Sequence, residues 1–109
     1  MNRNKPVIPR AIAQNDVDEA VEHYLSENAP DAAMGFINAL ERAYTEINRN
    51  PSTGAPRYAH ELDIPGLRFR PLKSYPYLVF YVEHENHIDV WRVLHGRRDI
   101  PKWVQDESA

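Results

Sequence analysis

Three side chains that could act on an anion lie close together near the end of the sequence RVLHGRRDIPKW (residues 92–103): His95, Arg97 and Arg98. Histidine exchanges protons near neutral pH, and arginine stabilises the charge that develops on a phosphate. The cluster is therefore compatible with cleavage of a phosphodiester. It is equally compatible with a docking edge for another protein, or with a solvated strand end.

The overall composition limits the partners of this cluster. The chain has 109 residues, a formal net charge of -3 and no cysteine. A negative molecule is not held on nucleic acid by general electrostatic attraction, and a chain without thiols has no disulfide or thiolate chemistry. Its longest apolar run, YLVFYV (77–82), is far shorter than the roughly 20 residues that span a bilayer. We therefore expect a single domain (residues 1–109) with a polar tail from about residue 105, no membrane segment and no direct binding to nucleic acid.

The charges are unevenly distributed along the chain. Residues 11–50 contain two basic and eight acidic side chains, whereas residues 57–102 contain eight basic and six acidic ones. An anionic partner would consequently bind to the second half, which contains the cluster at residues 95–98.

Two helices, preceded by a short strand, are expected in the first half of the chain. VIPRAIA (7–13) alternates like a strand, but its prolines restrict it to a sheet edge. Asp16 has the position of an N-cap, with Glu19 three residues later and an apolar stripe at helical spacing behind it. Pro30 fits the first turn of a second helix, which should end before Pro51. Because the connection is short, the two helices should form an antiparallel hairpin.

The second half of the chain has the period of two that is typical of strands. GLRFRPLKS (66–74) alternates apolar residues with Arg68 and Arg70. Two further runs, YPYLVFYVE and IDVWRVLH, flank the turn HENH and predict a β-hairpin. The order β-α-α-β-β-β predicts an α+β domain in which a helical hairpin packs on a small antiparallel sheet.

The last two strands are apolar on both sides, which indicates that both faces of the sheet are covered. Strict alternation would place Trp91 and Val93 on the same face. Two helices can cover only one face. The other is covered either by loops and the C-terminal segment, or by a partner chain.

Four segments of the chain together resemble a known family: NDVDEAVEHY, NPSTG, GLRFRPL and YPYLVFYVEHENHIDVWRVLHGRRD. They are similar to the ParE toxins, which belong to the RelE/ParE superfamily of bacterial type II toxin–antitoxin modules. The resemblance covers about nine-tenths of the chain. Its most specific part is the C-terminal third, since NPSTG alone is ordinary turn chemistry.

The resemblance implies a cytoplasmic toxin with a cognate antitoxin, usually of the ParD type. The antitoxin wraps the toxin with its C-terminal segment and binds the operator through a ribbon-helix-helix domain. ParE toxins inhibit DNA gyrase, whereas RelE-like relatives on the same fold cleave mRNA on the ribosome. No cofactor is implied. Function has therefore to be decided from the site rather than from the fold.

RNA cleavage is the alternative function. It would require a base, an acid and cations around the scissile phosphate. Arg68, Arg70 and Lys73 could supply cations in addition to the later arginine pair. RelE-like enzymes also use a late tyrosine, and none follows the pair here, where Asp99 beside Arg98 offsets positive charge. These departures favour a protein-binding surface over a nuclease site, and we expect no catalytic residue.

The residues assigned to the target, DNA gyrase, are His95, Arg97, Arg98, Ile100 and Trp103. They would form a docking edge followed by the apolar anchor IPKWV, because arginine and tryptophan often dominate interface energies. In this interpretation the segment from Ile100 onward contributes little to the core. Two alternatives stay open: Ile100 and Trp103 could instead form a short helix that folds back on the core, and the arginines could form a solvated turn.

The residues assigned to the antitoxin are Arg68, Arg70, Tyr81 and Arg92. An amphipathic antitoxin helix would supply apolar anchors, together with acidic side chains for the arginines. Arg92 interrupts an apolar strand, and a buried guanidinium requires a carboxylate or several carbonyl partners. Those partners lie either within the domain or on the antitoxin.

The histidines do not suggest a metal site. His84 and His87 flank the predicted hairpin turn without the spacing of zinc ligands, so chance proximity is the simpler interpretation. The sequence contains no glycine-rich phosphate loop, nucleophile elbow or metal motif. We therefore expect no metal.

Overall fold

The structure, a computed structural model, describes residues 5–106. The elements of this part of the chain are β1 (Val7–Pro9), α1 (Ala11–Ser26), α2 (Pro30–Arg49), a 3-10 helix (Pro51–Thr53), α3 (Arg57–Glu61), β2 (Leu67–Pro71), β3 (Tyr77–Glu83), β4 (Ile88–His95) and α4 (Ile100–Asp106). The predicted polar tail begins inside α4, and residues 107–109 lie outside the described part. No helix among the described residues is long and apolar enough to cross a membrane.

The four strands form one sheet in the order β1-β4-β3-β2. β2, β3 and β4 pair antiparallel, as the hairpin pattern predicts. β1 departs from the expected all-antiparallel sheet because it pairs parallel to β4. No tight turn joins these two strands, so the geometry of a hairpin does not constrain their relative direction. The α+β class is confirmed, with one parallel edge.

α1 and α2 form the predicted helical hairpin on one face of the sheet. Three residues join them, and Asn28 has a φ of 58°, a left-handed conformation that asparagine tolerates in tight connections. α2 begins at Pro30, as predicted. The buried residues of the two helices are Ala13, Val17, Ala20, Ala33, Phe36, Ala39, Leu40, Ala43 and Ile47. The helical stripes are therefore confirmed except at Leu25, the last residue of the α1 stripe, which is 52% exposed.

The start of α1 differs from the prediction. The first strand ends at Pro9 and the helix begins at Ala11, so the strand is shorter than the segment 7–13. Asp16 consequently lies inside the helix, and its assignment as N-cap is wrong. The capping pattern is misleading because this carboxylate binds a distant residue, Arg92. Nothing in the neighbouring capping pattern indicates that contact.

The second face of the sheet is covered by the chain itself. A cluster of buried side chains from the strands, from α4 and from the residue that ends α3 packs there: Leu62, Leu67, Phe80, Val82, Leu94, Ile100 and Val104. This confirms coverage by loops and the C-terminal segment, the first of the two alternatives. α3 was not predicted, because five residues are too few to give a periodic signal.

An irregularity in the pairing of β3 with β4 changes the direction of the side chains on β4. The register shifts by one residue, so that Trp91 has no partner on β3. A bulge of this kind resets the alternation along the strand. Val93 packs in the same cluster as Val90, whereas Trp91 packs in the cluster on the other face. The predicted common face for Trp91 and Val93 is therefore wrong.

Tyr81 connects the sheet to the segment that follows α2. Its side chain is fully buried; its hydroxyl donates to the Pro51 carbonyl at 2.6 Å and accepts from the Gly54 amide at 3.1 Å. A Cβ added at Gly54 would lie 2.2 Å from the hydroxyl oxygen. The glycine of NPSTG is thus required by this close approach.

Replacing Tyr81 by phenylalanine should lower the free energy of unfolding by about 1–3 kcal/mol, because the Gly54 amide loses its buried acceptor. Urea denaturation measures the difference. Tyr44→Phe is the matched control, since the buried Tyr44 hydroxyl has no hydrogen-bond partner among the described residues. Its removal should change the stability by less than about 0.5 kcal/mol, or increase it. An equal loss in both variants would contradict the role given to Tyr81.

Candidate functional site

The residues assigned to the target lie on a tight turn that links β4 to α4. The Gly96 amide donates to the Pro76 carbonyl at 2.8 Å, which holds the turn against the start of β3. The Arg98 amide donates to the His95 carbonyl at 3.0 Å, and the Arg97 amide donates to the His95 ring Nδ1 at 3.1 Å. These bonds fix the backbone, while both arginine side chains remain exposed.

His95 is a half-buried imidazole whose neutral form is favoured. Burial, followed by the charges of Arg97, Arg98 and His23, lowers the pKa of His95. Because Nδ1 accepts a backbone hydrogen bond, the neutral ring carries its proton on Nε2. The ring also meets Tyr77 edge to face, with centroids 5.2 Å apart. At neutral pH His95 is therefore a hydrogen-bond donor rather than a cation.

Arg98 is supported by an aromatic side chain from α4. Its guanidinium lies 4.0 Å from the centroid of the Trp103 ring. An exposed contact between arginine and an aromatic face contributes about 0.5–1 kcal/mol. The same ring lies 5.5 Å from the guanidinium of Arg92 beneath it. Stacking restricts the conformations of an exposed arginine, and this lowers the entropy cost of binding a partner.

Arg92 is the centre of a buried polar cluster. Its Nε and Nη2 donate to the two carboxylate oxygens of Asp16 at 2.7 and 2.8 Å. Its Nη1 donates to the main-chain carbonyl of Trp103 at 2.7 Å. Asp16 also accepts from the Val93 amide at 3.1 Å. The two charged side chains are only 3% and 8% exposed, so the partners that Arg92 requires are supplied within the domain.

The segment that begins at Ile100 is more closely connected to the core than the sequence suggests. Ile100 is 3% exposed and Val104 is fully buried, both within the cluster on the second face of the sheet. The expectation that residues from Ile100 onward contribute little to the core is wrong, and the alternative of a helix folded back on the core is confirmed. Ile100 therefore has almost no surface for a target. We call the four remaining residues, His95, Arg97, Arg98 and Trp103, the docking edge.

A pocket of about 420 Å³ lies beside the docking edge, between α1 and the end of β4. Its charged and polar lining residues are Asp16, Glu19, His23, Tyr77, His95 and Arg98. Histidine, tyrosine and arginine are residue types used in acid–base chemistry. The Asp16 charge is balanced by Arg92, but the carboxylate of Glu19 opposes the binding of an anionic substrate.

The residues assigned to the antitoxin fall into two groups. Tyr81 and Arg92 are buried and bound within the chain, so neither offers a contact surface. Arg68 and Arg70 are partly exposed on β2, at the edge of the sheet. Arg68 donates to the Gly54 carbonyl at 2.7 Å. These two arginines are the ones that an external partner can reach.

Arg70 lines a pocket of about 310 Å³ that also contains Arg42, Lys73 and Glu46. Its contact with Glu46 is long, at 3.4 Å, and partly exposed, so it contributes little to stability. The pocket is electropositive, because three cationic side chains surround the single carboxylate of Glu46. We refer to these four residues as the basic cleft.

The outer side of the helical hairpin contains an apolar groove of about 530 Å³. Its apolar lining residues are Val17, Val21, Leu25, Ile37, Leu40 and Tyr44, and its acidic ones are Asp18, Glu22 and Glu41. Leu25 is 52% exposed although it belongs to the predicted core stripe. These residues are called the hairpin groove. It arises because the apolar stripe of α1 and α2 is wider than the sheet can cover.

Comparison with known families decides the assignment. A family model described as the ParE toxin of the type II toxin–antitoxin system, parDE, matches residues 7–100. The chain belongs to the ParE toxin family. The match ends at the first residue of α4, so Trp103 lies beyond it.

A structural comparison agrees with this ParE assignment at the level of the fold. A chain of the chromosomal ParDE TA system from P. aeruginosa has a TM-score of 0.69 with 18% sequence identity. The alignment covers 84% of this chain and 96% of that chain. No curated protein matches the sequence significantly.

The buried polar cluster of this ParE chain does have a signal in the sequence, although the capping pattern around Asp16 obscures it. Asp16 is three residues after Ala13 and four before Ala20, so it lies on the buried side of α1. A buried charge needs a partner, so a carboxylate on an apolar helix stripe and a lone arginine in an apolar strand predict an ion pair between the two. The hairpin groove, in contrast, has no separate sequence signal, because its residues have the pattern of a core.

Replacing Asp16 by asparagine should lower the free energy of unfolding by about 3–5 kcal/mol, because the Arg92 guanidinium would stay buried without its counter-charge. Chemical denaturation measures the loss. Asp18→Asn is the matched control: Asp18 is exposed on the same helix, and its replacement should cost less than about 0.5 kcal/mol. A loss below about 1 kcal/mol at Asp16 would contradict the importance given to the ion pair.

Proposed function

We propose that this chain is a ParE toxin that inhibits DNA gyrase in the cytoplasm and is neutralised by a cognate ParD-like antitoxin. Membership of the ParE family supports the toxin–antitoxin module. The observation that carries the target assignment is the docking edge, where Arg97 and Arg98 are exposed on a fixed turn beside Trp103. DNA is reached only through the antitoxin and through gyrase.

The docking edge has the composition of a protein-binding hot spot. Arginine and tryptophan are enriched among the residues that dominate interface energies, especially where a well-packed support surrounds them. The turn is held by backbone hydrogen bonds, and Trp103 is anchored through its own carbonyl. A partner therefore has little ordering entropy to overcome at this surface.

The antitoxin would occupy two surfaces of opposite character. The hairpin groove is apolar with acidic residues at its margins, which suits an amphipathic helix with basic residues beside its apolar anchors. The basic cleft suits acidic side chains from another part of the same antitoxin. Because the second face of the sheet is already covered, this placement replaces the alternative in which a partner chain buries that face.

A second candidate function, RNA cleavage on the ribosome, is favoured by one observation. Tyr77 lies beside His95 and Arg98 in the pocket at the docking edge, so a tyrosine is present there although none follows the arginine pair. Cleavage of mRNA by purified protein on translating ribosomes, abolished by Tyr77→Phe and by His95→Ala, would establish this function. Glu19 in the pocket and the exposed Asp99, which follows Arg98 in the sequence, weigh against it.

Replacing Leu25 by aspartate should weaken binding of the ParD-like antitoxin at least about tenfold, because it places a charge among the apolar residues that line the hairpin groove. Isothermal titration calorimetry measures the Kd. Met34→Asp is the control, since Met34 is similarly exposed (58%) but does not line the groove. Equal affinities for the two variants would show that the antitoxin binds elsewhere.

Replacing Arg97 and Arg98 together by alanine should raise the concentration that inhibits gyrase by at least about 30-fold, the effect of losing one hot spot of about 2 kcal/mol. A supercoiling and cleavage-complex assay with purified gyrase measures the loss. Antitoxin binding, followed by calorimetry, should be unchanged because the docking edge is separate from the two antitoxin surfaces.

The matched control for this experiment is Arg49→Ala with Arg57→Ala, which removes two exposed arginines elsewhere on the molecule. It should inhibit gyrase as well as the parent chain. Full inhibition by the Arg97 and Arg98 variant would mean that the pair is a solvated turn. Truncation at Ile100 is not a usable test, since it removes part of the core.

A further inference from the structure

The turn between β3 and β4 brings three metal-binding side chains together at the end of the sheet opposite the docking edge. One ligand atom from each of His84, His87 and Asp89 lies within 4.8 Å of the other two. The two imidazole rings are stacked, with centroids 4.8 Å apart and planes inclined by 17°. The spacing His-x-x-His-x-Asp is unlike that of common zinc motifs. The hairpin reverses the chain direction between His84 and Asp89, and this reversal brings the three side chains close together.

The distance between two of these ligand atoms already fits a tetrahedral metal ion. His84 Nε2 and Asp89 Oδ2 are 3.3 Å apart. Zinc binds imidazole nitrogen and carboxylate oxygen at roughly 2.0–2.2 Å, so two ligands of a tetrahedral ion are separated by about 3.4 Å. The neutral His84 ring can carry its proton on Nδ1, which frees Nε2 for the metal.

The third ligand has the correct tautomer. His87 Nδ1 lies 2.8 Å from Asn86 Oδ1, an oxygen that can only accept, so the ring nitrogen donates. The lone pair of the neutral ring is then on Nε2. A hydrogen bond of this kind to the remote nitrogen is typical of metal-binding histidines. The turn is also fixed by a 2.8 Å bond from the His84 amide to the His87 carbonyl.

Asp89 is held in position by Arg10. Two hydrogen bonds of 3.0 and 2.9 Å join the guanidinium to the two carboxylate oxygens, and the guanidinium stacks 4.1 Å from the centroid of Trp91. This two-point contact with a guanidinium favours the ionised form of the carboxylate. Each oxygen keeps a second lone pair, so the ionised carboxylate can bind Arg10 and a metal together.

We propose that His84, His87 and Asp89 bind a divalent transition-metal ion of the Zn²⁺ type, with water as a further ligand. Two imidazoles and one carboxylate suit Zn²⁺, Ni²⁺ or Co²⁺, whereas Mg²⁺ and Ca²⁺ prefer oxygen ligands alone. The ligand atoms that lie furthest apart include that of His87. Its ring must move about 1.4 Å closer to bring this pair to the separation expected around a tetrahedral ion. A partly exposed side chain on a turn permits this movement. This proposal replaces our expectation that the histidines lie together by chance.

The metal would tie the hairpin turn to the start of α1 through Asp89 and Arg10. The site is separated from the docking edge by the length of β4, roughly 23 Å at 3.3 Å per residue. Its effect should therefore appear in stability rather than in gyrase inhibition. Metal binding at this site would depend neither on the target nor on the antitoxin.

Thermal unfolding of the untagged full chain tests the site. Zn²⁺ in large excess over its Kd should raise Tm on the order of 5 °C. This rise is smaller than that expected for a ligand that binds only the folded state, because the histidines of the unfolded chain also bind zinc. Mg²⁺ should have no effect. His84→Ala with His87→Ala should abolish the zinc response. The matched control, His23→Ala with His60→Ala, removes two exposed histidines elsewhere and should keep it.

A second measurement identifies the ligands directly. In nuclear magnetic resonance spectra, Co²⁺ should shift or broaden the imidazole signals of His84 and His87 before those of His23, His60 and His95. A zinc response that survives in the His84 and His87 variant would overturn the proposal. So would the absence of any zinc response in the parent chain, or a Co²⁺ effect centred on the docking edge.

Discussion

The buried ion pair of Arg92 and Asp16 connects three elements of the fold. Asp16 belongs to α1, Arg92 to β4, and the carbonyl that completes the cluster to α4. Burying an arginine is unfavourable unless its donors are satisfied, so the cluster requires all three elements to be in place at once. The position of α4, and with it the docking edge, follows from this constraint.

The sheet separates two apolar clusters with different consequences for function. The cluster under α1 and α2 is larger than the sheet face it covers, and the surplus apolar surface is the hairpin groove. The cluster on the other face is covered by α3 and α4, so the docking edge lies beside a core that is already shielded from solvent. One face is thus suited to an apolar partner helix, and the opposite corner to a partner that recognises exposed arginines.

The sequence predicted the parts of the fold that depend on periodicity. The helical hairpin, the three antiparallel strands and the start of α2 at Pro30 follow from apolar spacing and proline geometry. Features that depend on contacts between distant residues were missed: the helical position of Asp16, the bulge at Trp91 and the parallel edge strand. For the site, Arg97 and Arg98 are exposed, as contact with a partner would require, whereas Ile100, Tyr81 and Arg92 are buried. Burial of these three is decided by tertiary packing, which a single sequence does not show.

The attachment of α4 through the carbonyl of residue 103 bears on how this surface can evolve. A main-chain carbonyl is present whatever the side chain, so Arg92 can hold the helix without constraining the identity of residue 103. The side chains on the outer side of α4 are then free to vary while the inner ones keep the helix in place. Relatives that keep the arginine and its carboxylate could therefore present different outer side chains to different targets without rebuilding the core.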